Sequence, residues 1–282
     1  MTAKSNPSNQ PAKDQSLTTN QGNTIPVLGL GVWKSSKDEC YQAVMDALEL
    51  GYRHIDTAAI YANEESVGKA IADSKIERSE VFITTKLWNA DQGASKAEKA
   101  FEKSLQKLNL DYVDLYLIHF PVSGIRNESW KILASINKSG RAKSIGVSNF
   151  MIPHLEELIQ MTGLVPAINQ IEVHPFLNQK ELRDYCASKK ILVEAYSPLA
   201  HGKRIQDPAI TKISQKYNRT NAQILIRWSI QSGMIVLPKS VKRSRIEENG
   251  SVFDFQLDNA DMEYLNSLDE NYRTCWDPSE VV

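Results

Sequence analysis

The sequence predicts a (β/α)8 TIM barrel with an N-terminal β-hairpin and short connecting loops. Three observations carry that expectation. Eight short apolar runs recur along the chain, and most are nearly all apolar rather than alternating, as in strands covered on both faces of a parallel sheet. Amphipathic segments separate them, at a spacing of roughly thirty residues that marks repeated βαβ units. Eight such units fit a closed barrel in a chain of 282 residues. The rival is an open doubly wound sheet, which usually carries GxGxxG after its first strand when it binds a dinucleotide. Here "GLGVW" (Gly29–Trp33) has two glycines, no third, and no helix directly behind it.

The elements follow in order. Residues 1–16, "MTAKSNPSNQPAKDQS", are polar and lack the apolar core of a secretory signal, so a disordered tail is expected, with one barrel domain over 17–282. "SLTTNQGNTIPVLG" reads as a hairpin turning at Gln-Gly-Asn. The barrel strands are expected in Val27–Val32, Tyr52–Thr57, Val81–Lys86, Val113–His119, Lys143–Ser148, Ala167–Glu172, Leu192–Ser197 and Met234–Leu237. Between them, Ala94–Leu108 puts Ala97, Phe101, Leu105 and Leu108 on one helix face. Met151–Thr162 does so with Leu155, Leu158 and Ile159, and Gln179–Lys189 and Asn221–Ser232 behave similarly.

Bulk properties exclude several classes. Apolar content of 41% and charged content of 24% are ordinary for a globular protein whose core needs no disulfide staples. A net charge of −1 gives no reason to expect nucleic acid or an anionic membrane as partner. No apolar run has the length of a membrane span. Cys40, Cys186 and Cys275 are far apart and odd in number, the pattern of reduced thiols in a cytoplasmic protein.

The chemistry is concentrated at strand ends. Asp56 closes the second run, Lys86 the third and His119 the fourth. In a parallel barrel all three side chains emerge at the C-terminal rim, where barrel enzymes act. Tyr61 follows Asp56 in the next loop, and Asn63 is placed to cap a helix beginning at Glu64 and Glu65. A free phenol with pKa ~10 is a weak acid at neutral pH, but a buried ammonium beside it would lower that value. Lys86 is the expected ammonium, and Asp56 keeps it charged. A neutral His119 would orient a carbonyl oxygen. Tyrosine can protonate oxygen, but no side chain delivers hydride to carbon, so a nicotinamide is implied.

These stretches resemble the aldo-keto reductase family, from about Leu17 almost to the end. "GYRHIDTAAIYANEESVG", "TTKLWN" and "DYVDLYLIHFP" are similar to the segments that carry the family's catalytic tetrad, which maps onto Asp56, Tyr61, Lys86 and His119. "GVSNF", "INQIEVHP", "EAYSPLA" and "LPKSVKRSRIEEN" resemble its cofactor segments. The resemblance implies that Ser148, Asn149 and Gln170 hold a nicotinamide carboxamide and that Tyr196 stacks on its ring. It implies Ser197 and Leu199 along the pyrophosphate, Lys239, Ser240 and Arg245 around the 2′-phosphate of NADPH, and Glu248 and Asn249 at the adenine. Residue types alone agree at the phosphate end: a strand is followed by lysine, serine and arginine before a helix, where barrels often bind phosphate. Two cations matched to a dianion favour NADPH over NADH.

One departure stands out. Many relatives place tryptophan after the histidine; here it is Phe120. "HFPVSGIRNESW" and "PLAHGKRIQDPA" leave little chain for specificity loops, so an open pocket walled by Trp33, Trp88, Phe120 and Trp276 is expected. The likeness is to compact reductases of microbes and protists, which implies a monomer acting on a small carbonyl substrate.

Other readings stay open. Asp56 and Lys86 can be a plain structural ion pair. A nucleotide-sensing or scaffold barrel that binds NADPH with little catalysis is the main alternative. A metal site is not expected, since no HxH or HExxH occurs. "KSVKRSR" (Lys239–Arg245) also matches a basic patch for nucleic acid or nuclear import. His174 is read as structural, His54 is assigned no role, and nothing marks Cys275 as catalytic.

Overall fold

The computed structural model describes residues 15–281. The expected tail therefore lies outside the described residues up to position 14, and Ser16 already belongs to the first strand. β1 (Ser16–Thr18) pairs antiparallel with β2 (Thr24–Pro26). Their turn is tied to the bottom of the barrel by amides: Asn20 Nδ2 donates to Pro166 O (2.9 Å) and Asn23 Nδ2 to Lys143 O (2.7 Å), while Gln21 Oε1 accepts from Ile145 N (3.0 Å). Ile25 drops into the barrel floor with Phe82, Leu115, Leu117, Ile168 and Ile235. The hairpin is thus a plug whose polar turn satisfies open carbonyls.

Strands lie at the eight apolar runs, one at each, with one residue beyond the run at Leu87 and at Ala142. These are β3 (Leu30–Gly31), β4 (His54–Asp56), β5 (Phe82–Leu87), β6 (Val113–Ile118), β7 (Ala142–Ser148), β8 (Ile168–Glu172), β9 (Leu192–Tyr196) and β10 (Ile235–Leu237). Each pairs in parallel with the next in sequence. Parallel bridges Leu28–Val236 and Gly31–Lys239 join the first barrel strand to the last. Gly29 N donates to Val236 O (3.0 Å) and Gly31 N to Pro238 O (3.1 Å), so the sheet closes and buries its edges.

Among the described residues ten helices surround it: α1 (Lys37–Glu49), α2 (Glu64–Ser74), α3 (Ala97–Leu108), α4 (Arg126–Lys138), α5 (Ile152–Thr162), α6 (Lys180–Ser188), α7 (Pro208–Tyr217), α8 (Asn221–Gln231), α9 (Arg243–Gly250) and α10 (Asn259–Asn266). The stripe read on α3 is buried at Ala97, Phe101, Leu105 and Leu108. Capping boxes start α1 at Ser36–Glu39 and α8 at Thr220–Gln223.

The start of α2 departs from expectation. Asn63 holds the cap position, but its side chain makes no cap hydrogen bond. Its Oδ1 accepts from Thr57 Oγ1 (2.8 Å) and its Nδ2 donates to Val32 O (2.9 Å), joining the rims of β3 and β4. Glu64 is buried and accepts from Thr85 Oγ1 (2.7 Å), while Glu65 pairs with Lys37 at the surface (3.0 Å). Tertiary contacts at the rim outcompete the local cap.

Helix α2 also meets α3 at a point of contact that excludes a methyl group. A Cβ on Gly68 would lie 2.0 Å from Leu108 O, a backbone atom. Gly68→Ala should therefore cost about 1–3 kcal/mol despite alanine's better helix propensity. Urea unfolding of the variant checks this, and unchanged stability would contradict the packing of the two helices.

Candidate active site

Four expected side chains converge at the C-terminal rim. Lys86 is fully buried near the end of β5, and its Nζ donates to Asp56 Oδ1 (2.7 Å) and Thr57 O (2.9 Å). Tyr61 lies in the 3-10 turn Ala59–Tyr61, with Lys86 Nζ 5.1 Å from its ring centroid. The His119 ring meets Tyr61 edge-on at 5.7 Å between centroids. An acid, a phenol and an imidazole thus share one end of a cleft, with the ammonium buried directly behind them.

Their protonation states only partly follow the sequence reading. Burial first, and then the Lys86 charge, hold His119 well below the usual imidazole range, so it is neutral as expected. The phenol behaves oppositely to expectation. Burial, reinforced by the Asp56 carboxylate, pushes Tyr61 well above 10 rather than down. Two of the ammonium's three N–H donors serve Asp56 and Thr57, so the phenol faces an ion pair rather than a bare cation. Tyr61 keeps its proton and is a donor in place.

Below this group lies a second layer inside the barrel. Gln170 Nε2 donates to Asp56 Oδ2 (2.8 Å) and to Glu194 Oε2 (2.6 Å). Glu194 is fully buried on β9, and its Oε1 has no hydrogen-bond partner. His54 Nε2 is 3.6 Å from that oxygen and 3.2 Å from Thr84 Oγ1. His54, two residues before Asp56, shares its face of the strand, as a period of two requires. Burial lowers His54 to about 3, so it is neutral. Burial raises both carboxyls, and Glu194, beside the Asp56 charge, rises to about 8. Lys86 pairs with Asp56, so the proton resides on Glu194. Sequence reading missed this acid; its signal was a glutamate inside the apolar run of β9.

The cleft has a volume of about 1090 Å³ and runs from Tyr61 and His119 to α9. Its walls include every residue expected to touch cofactor: Ser148, Asn149, Gln170, Tyr196, Ser197, Leu199, Lys239, Ser240, Arg245, Glu248 and Asn249. The central members are wired together. Tyr196 OH donates to Asn149 Oδ1 (2.7 Å), Asn149 Nδ2 to His119 O (3.0 Å) and Ser148 Oγ (3.0 Å), and Ser148 Oγ to Gln170 O (2.9 Å). At the far end Arg243 turns outward to Asp46 (3.0 Å) and Glu49 (2.7 Å). Lys239 and Arg245 line the cleft with no ion-pair partner among the described residues. Two unpaired cations beside the start of α9 fit the phosphate monoester of a nucleotide.

Three of the four expected pocket walls form one aromatic corner. Trp88 and Phe120 are 6.0 Å apart, Phe120 and Trp276 5.0 Å, both edge-on. Trp33 sits apart from them, against His201 at 5.6 Å and under Lys34 Nζ at 4.3 Å. Lys34, His201 and Thr274 also line the cleft and were not expected there. Among the described residues no group of three or more His, Cys, Asp or Glu is arranged to hold a metal ion, and no helix is long and apolar enough to cross a membrane.

A model of the aldo/keto reductase family matches residues 27–270. An aldo-keto reductase of Mycolicibacterium smegmatis is 50% identical over 264 residues, 93% of this chain and 96% of that protein. Methylglyoxal reductase DkgA of Escherichia coli is 49% identical over 263 residues, 92% of this chain and 95% of that protein. Among solved structures, a Bombyx mori aldo-keto reductase in complex with NADP superimposes with a TM-score of 0.88 at 40% identity, covering 93% of this chain and 94% of that one.

The buried acid gives a measurable consequence. Glu194 rises from 4.5 to about 8, so the native state holds a proton that the unfolded chain releases. Stability therefore falls as pH rises from about 4.5 to about 8 and levels off above. Glu194→Gln removes that titration. Its stability relative to the parent should improve by about 1 kcal/mol or more between about pH 5 and about pH 9. Thermal unfolding at both values reads this, and a difference independent of pH would contradict a neutral Glu194.

Proposed function

The chain belongs to the aldo/keto reductase family and is an NADP(H)-dependent carbonyl reductase; from that premise we propose that it reduces small α-oxoaldehydes and related aldehydes, with Tyr61 as proton donor. NADPH supplies the hydride. The observation that carries this reading is the Lys86–Asp56 pair beneath Tyr61 and His119, at the opposite end of one cleft from the unpaired Lys239 and Arg245.

In this mechanism the neutral His119 orients the carbonyl oxygen and Tyr61 gives it a proton as charge develops. Lys86 attracts that charge, and Asp56 keeps Lys86 protonated. The phenol's raised resting pKa favours a fully protonated donor at rest. Ser148, Asn149 and Gln170 would hold the nicotinamide carboxamide, with Tyr196 against the ring. Ser197 and Leu199 would follow the pyrophosphate, Glu248 and Asn249 would meet the adenine, and Lys239, Ser240 and Arg245 would bind the 2′-phosphate. The substrate sits against Trp88, Phe120 and Trp276, whose aromatic faces suit a small, uncharged carbonyl compound. Methylglyoxal reductase as a close relative points the same way. A sensor or scaffold barrel is not favoured, because it has no use for an intact proton-donating group.

The finer assignments form part of the same proposal: residues 17–282 as a single barrel domain, acting as a monomer in the cytoplasm. Three unpaired cysteines suit a reducing compartment.

Tyr61→Phe should lower turnover of methylglyoxal by about 10²-fold or more while NADPH affinity stays near that of the parent. Stopped-flow absorbance and fluorescence titration read the two quantities, and substantial residual turnover removes Tyr61 as the acid. Arg245→Met should weaken NADPH binding by about tenfold or more and leave NADH nearly unaffected. An unchanged preference between the two cofactors removes the phosphate assignment.

A further inference from the structure

One buried carboxylate is used by none of these steps. Glu172 ends β8, is 1% exposed, and faces the C-terminal segment that crosses the barrel mouth. That segment is irregular from 269 to 277 and has no strand or helix to satisfy its amides. Glu270 N and Tyr272 N donate to Phe176 O (3.3 and 2.8 Å), and Asn271 N to Asp269 Oδ1 (3.2 Å). Thr274 N donates to Glu172 Oε1 (2.8 Å), Cys275 N to Glu172 Oε2 (3.0 Å), and Thr274 Oγ1 also to Oε1. His174 Nε2 lies 3.2 Å from the same oxygen. The next anchor along the chain is His154 Nε2 at Val281 O (2.7 Å). Trp276, whose ring walls the pocket against Phe120, directly follows the two residues held by Glu172.

We propose that Glu172 is a positioning residue for substrate specificity: its carboxylate pins residues 274 and 275, and thereby fixes Trp276 as the movable wall of the carbonyl pocket. Burial opposes the negative charge, but hydrogen bonds from His174, Thr274 and Cys275 outweigh it and bring the carboxyl down to about 2. The clamp is therefore ionised at neutral pH. Both oxygens are engaged, and each strap amide has this one partner among the described residues. A neutral amide of the same shape offers one acceptor where the carboxylate offers two. Trp276 itself is 52% exposed, and the other ties beside it are weak thiol contacts, Cys275 Sγ with Ser197 Oγ (3.5 Å) and His201 Nε2 (3.3 Å), and the Arg273–Asp277 pair (3.4 Å) within the strap. A loosened strap leaves the chemistry untouched and enlarges the space beside it. Small carbonyl compounds then lose their contact surface, whereas bulky ones lose less.

The specificity half rests on the reading that the carbonyl lies at Tyr61 and His119; the tether half does not. The experiment separates them in the full-length enzyme using Glu172→Gln and Thr274→Val, the second on the strap itself in case the first fails to fold. Amide hydrogen exchange at Thr274 and Cys275 should quicken by about tenfold in Glu172→Gln, with β8 unchanged. Exchange at Cys275 should also quicken, by less, in Thr274→Val. KM for methylglyoxal should rise about tenfold relative to KM for an aromatic aldehyde, with kcat and NADPH affinity near those of the parent. The two substitutions should be less than additive in that ratio. Unchanged exchange at both amides overturns the tether. Faster exchange with an unchanged KM ratio overturns the role in specificity. A parent enzyme that reduces neither carbonyl compound overturns the substrate reading, and the exchange result still decides the tether.

Discussion

The site depends on one buried ion pair. Lys86 is the one lysine with no exposure among the described residues, and removing an ammonium from water costs several kcal/mol. The cost is met by two short hydrogen bonds, one to Asp56 and one to a rim carbonyl, and by the second oxygen of Asp56 accepting from Gln170. Such a pair needs both members, since either alone is an uncompensated charge in the barrel. It also sets the field in which the other two groups sit. Burial, reinforced by the ammonium, holds His119 neutral, and burial, reinforced by the carboxylate, holds the Tyr61 phenol protonated. The same contact that stabilises the pair fixes which neighbour carries a proton.

Charge balance then extends downward. Three titratable side chains besides His54 fill the middle of the barrel, and only one is a cation. Asp56 has the cation, so Glu194 must be neutral or pay for an unscreened charge; its partnerless oxygen fits the neutral form. Gln170 spends both amide protons on the two carboxyls, leaving its carbonyl oxygen free toward the cleft. An amide fixed in this way presents a defined acceptor to a bound group, because a flip would set its oxygen against two acids.

Much of this was legible in the sequence. Asp56, Lys86 and His119 terminate apolar runs, and the end of a parallel strand in a barrel has one destination, so their convergence followed from periodicity and count. The phosphate end was legible from lysine and arginine placed between a strand and a helix. What was not legible depends on which strands meet across the closed barrel. Asn63 has the sequence context of a cap, yet Val32 and Thr57 reach it first. Glu194 meets Gln170 from a neighbouring strand, and Glu172 meets Thr274 across about a hundred residues of chain. Tyr61 was misjudged in sign because proximity to lysine is visible in a motif, whereas burial and the lysine's prior commitment to Asp56 are not. Trp33 lines the cleft as expected, but its ring packs on His201, apart from the corner of Trp88, Phe120 and Trp276.

Precision in such a site comes from where its members are rooted. Asp56, Lys86, Ser148, Gln170, Glu172, Glu194 and Tyr196 all belong to barrel strands, and His119 and Asn149 follow strands directly. Strand termini in a closed sheet cannot shift singly, because each is bonded on both sides. The chain of hydrogen bonds from Tyr196 through Asn149 and Ser148 reaches the backbone of Gln170, whose side chain holds Asp56. Residues assigned to the cofactor are thereby rigidly referenced to the carboxylate that keeps Lys86 charged. Hydride donor and proton donor must meet one carbonyl group from two sides within tenths of an ångström, and a sheet delivers that registry more reliably than loops. The strap bearing Trp276 is the exception, rooted in irregular chain and tied to the sheet by Glu172. Variation in substrate can therefore be accommodated at the strap while the reacting groups stay fixed.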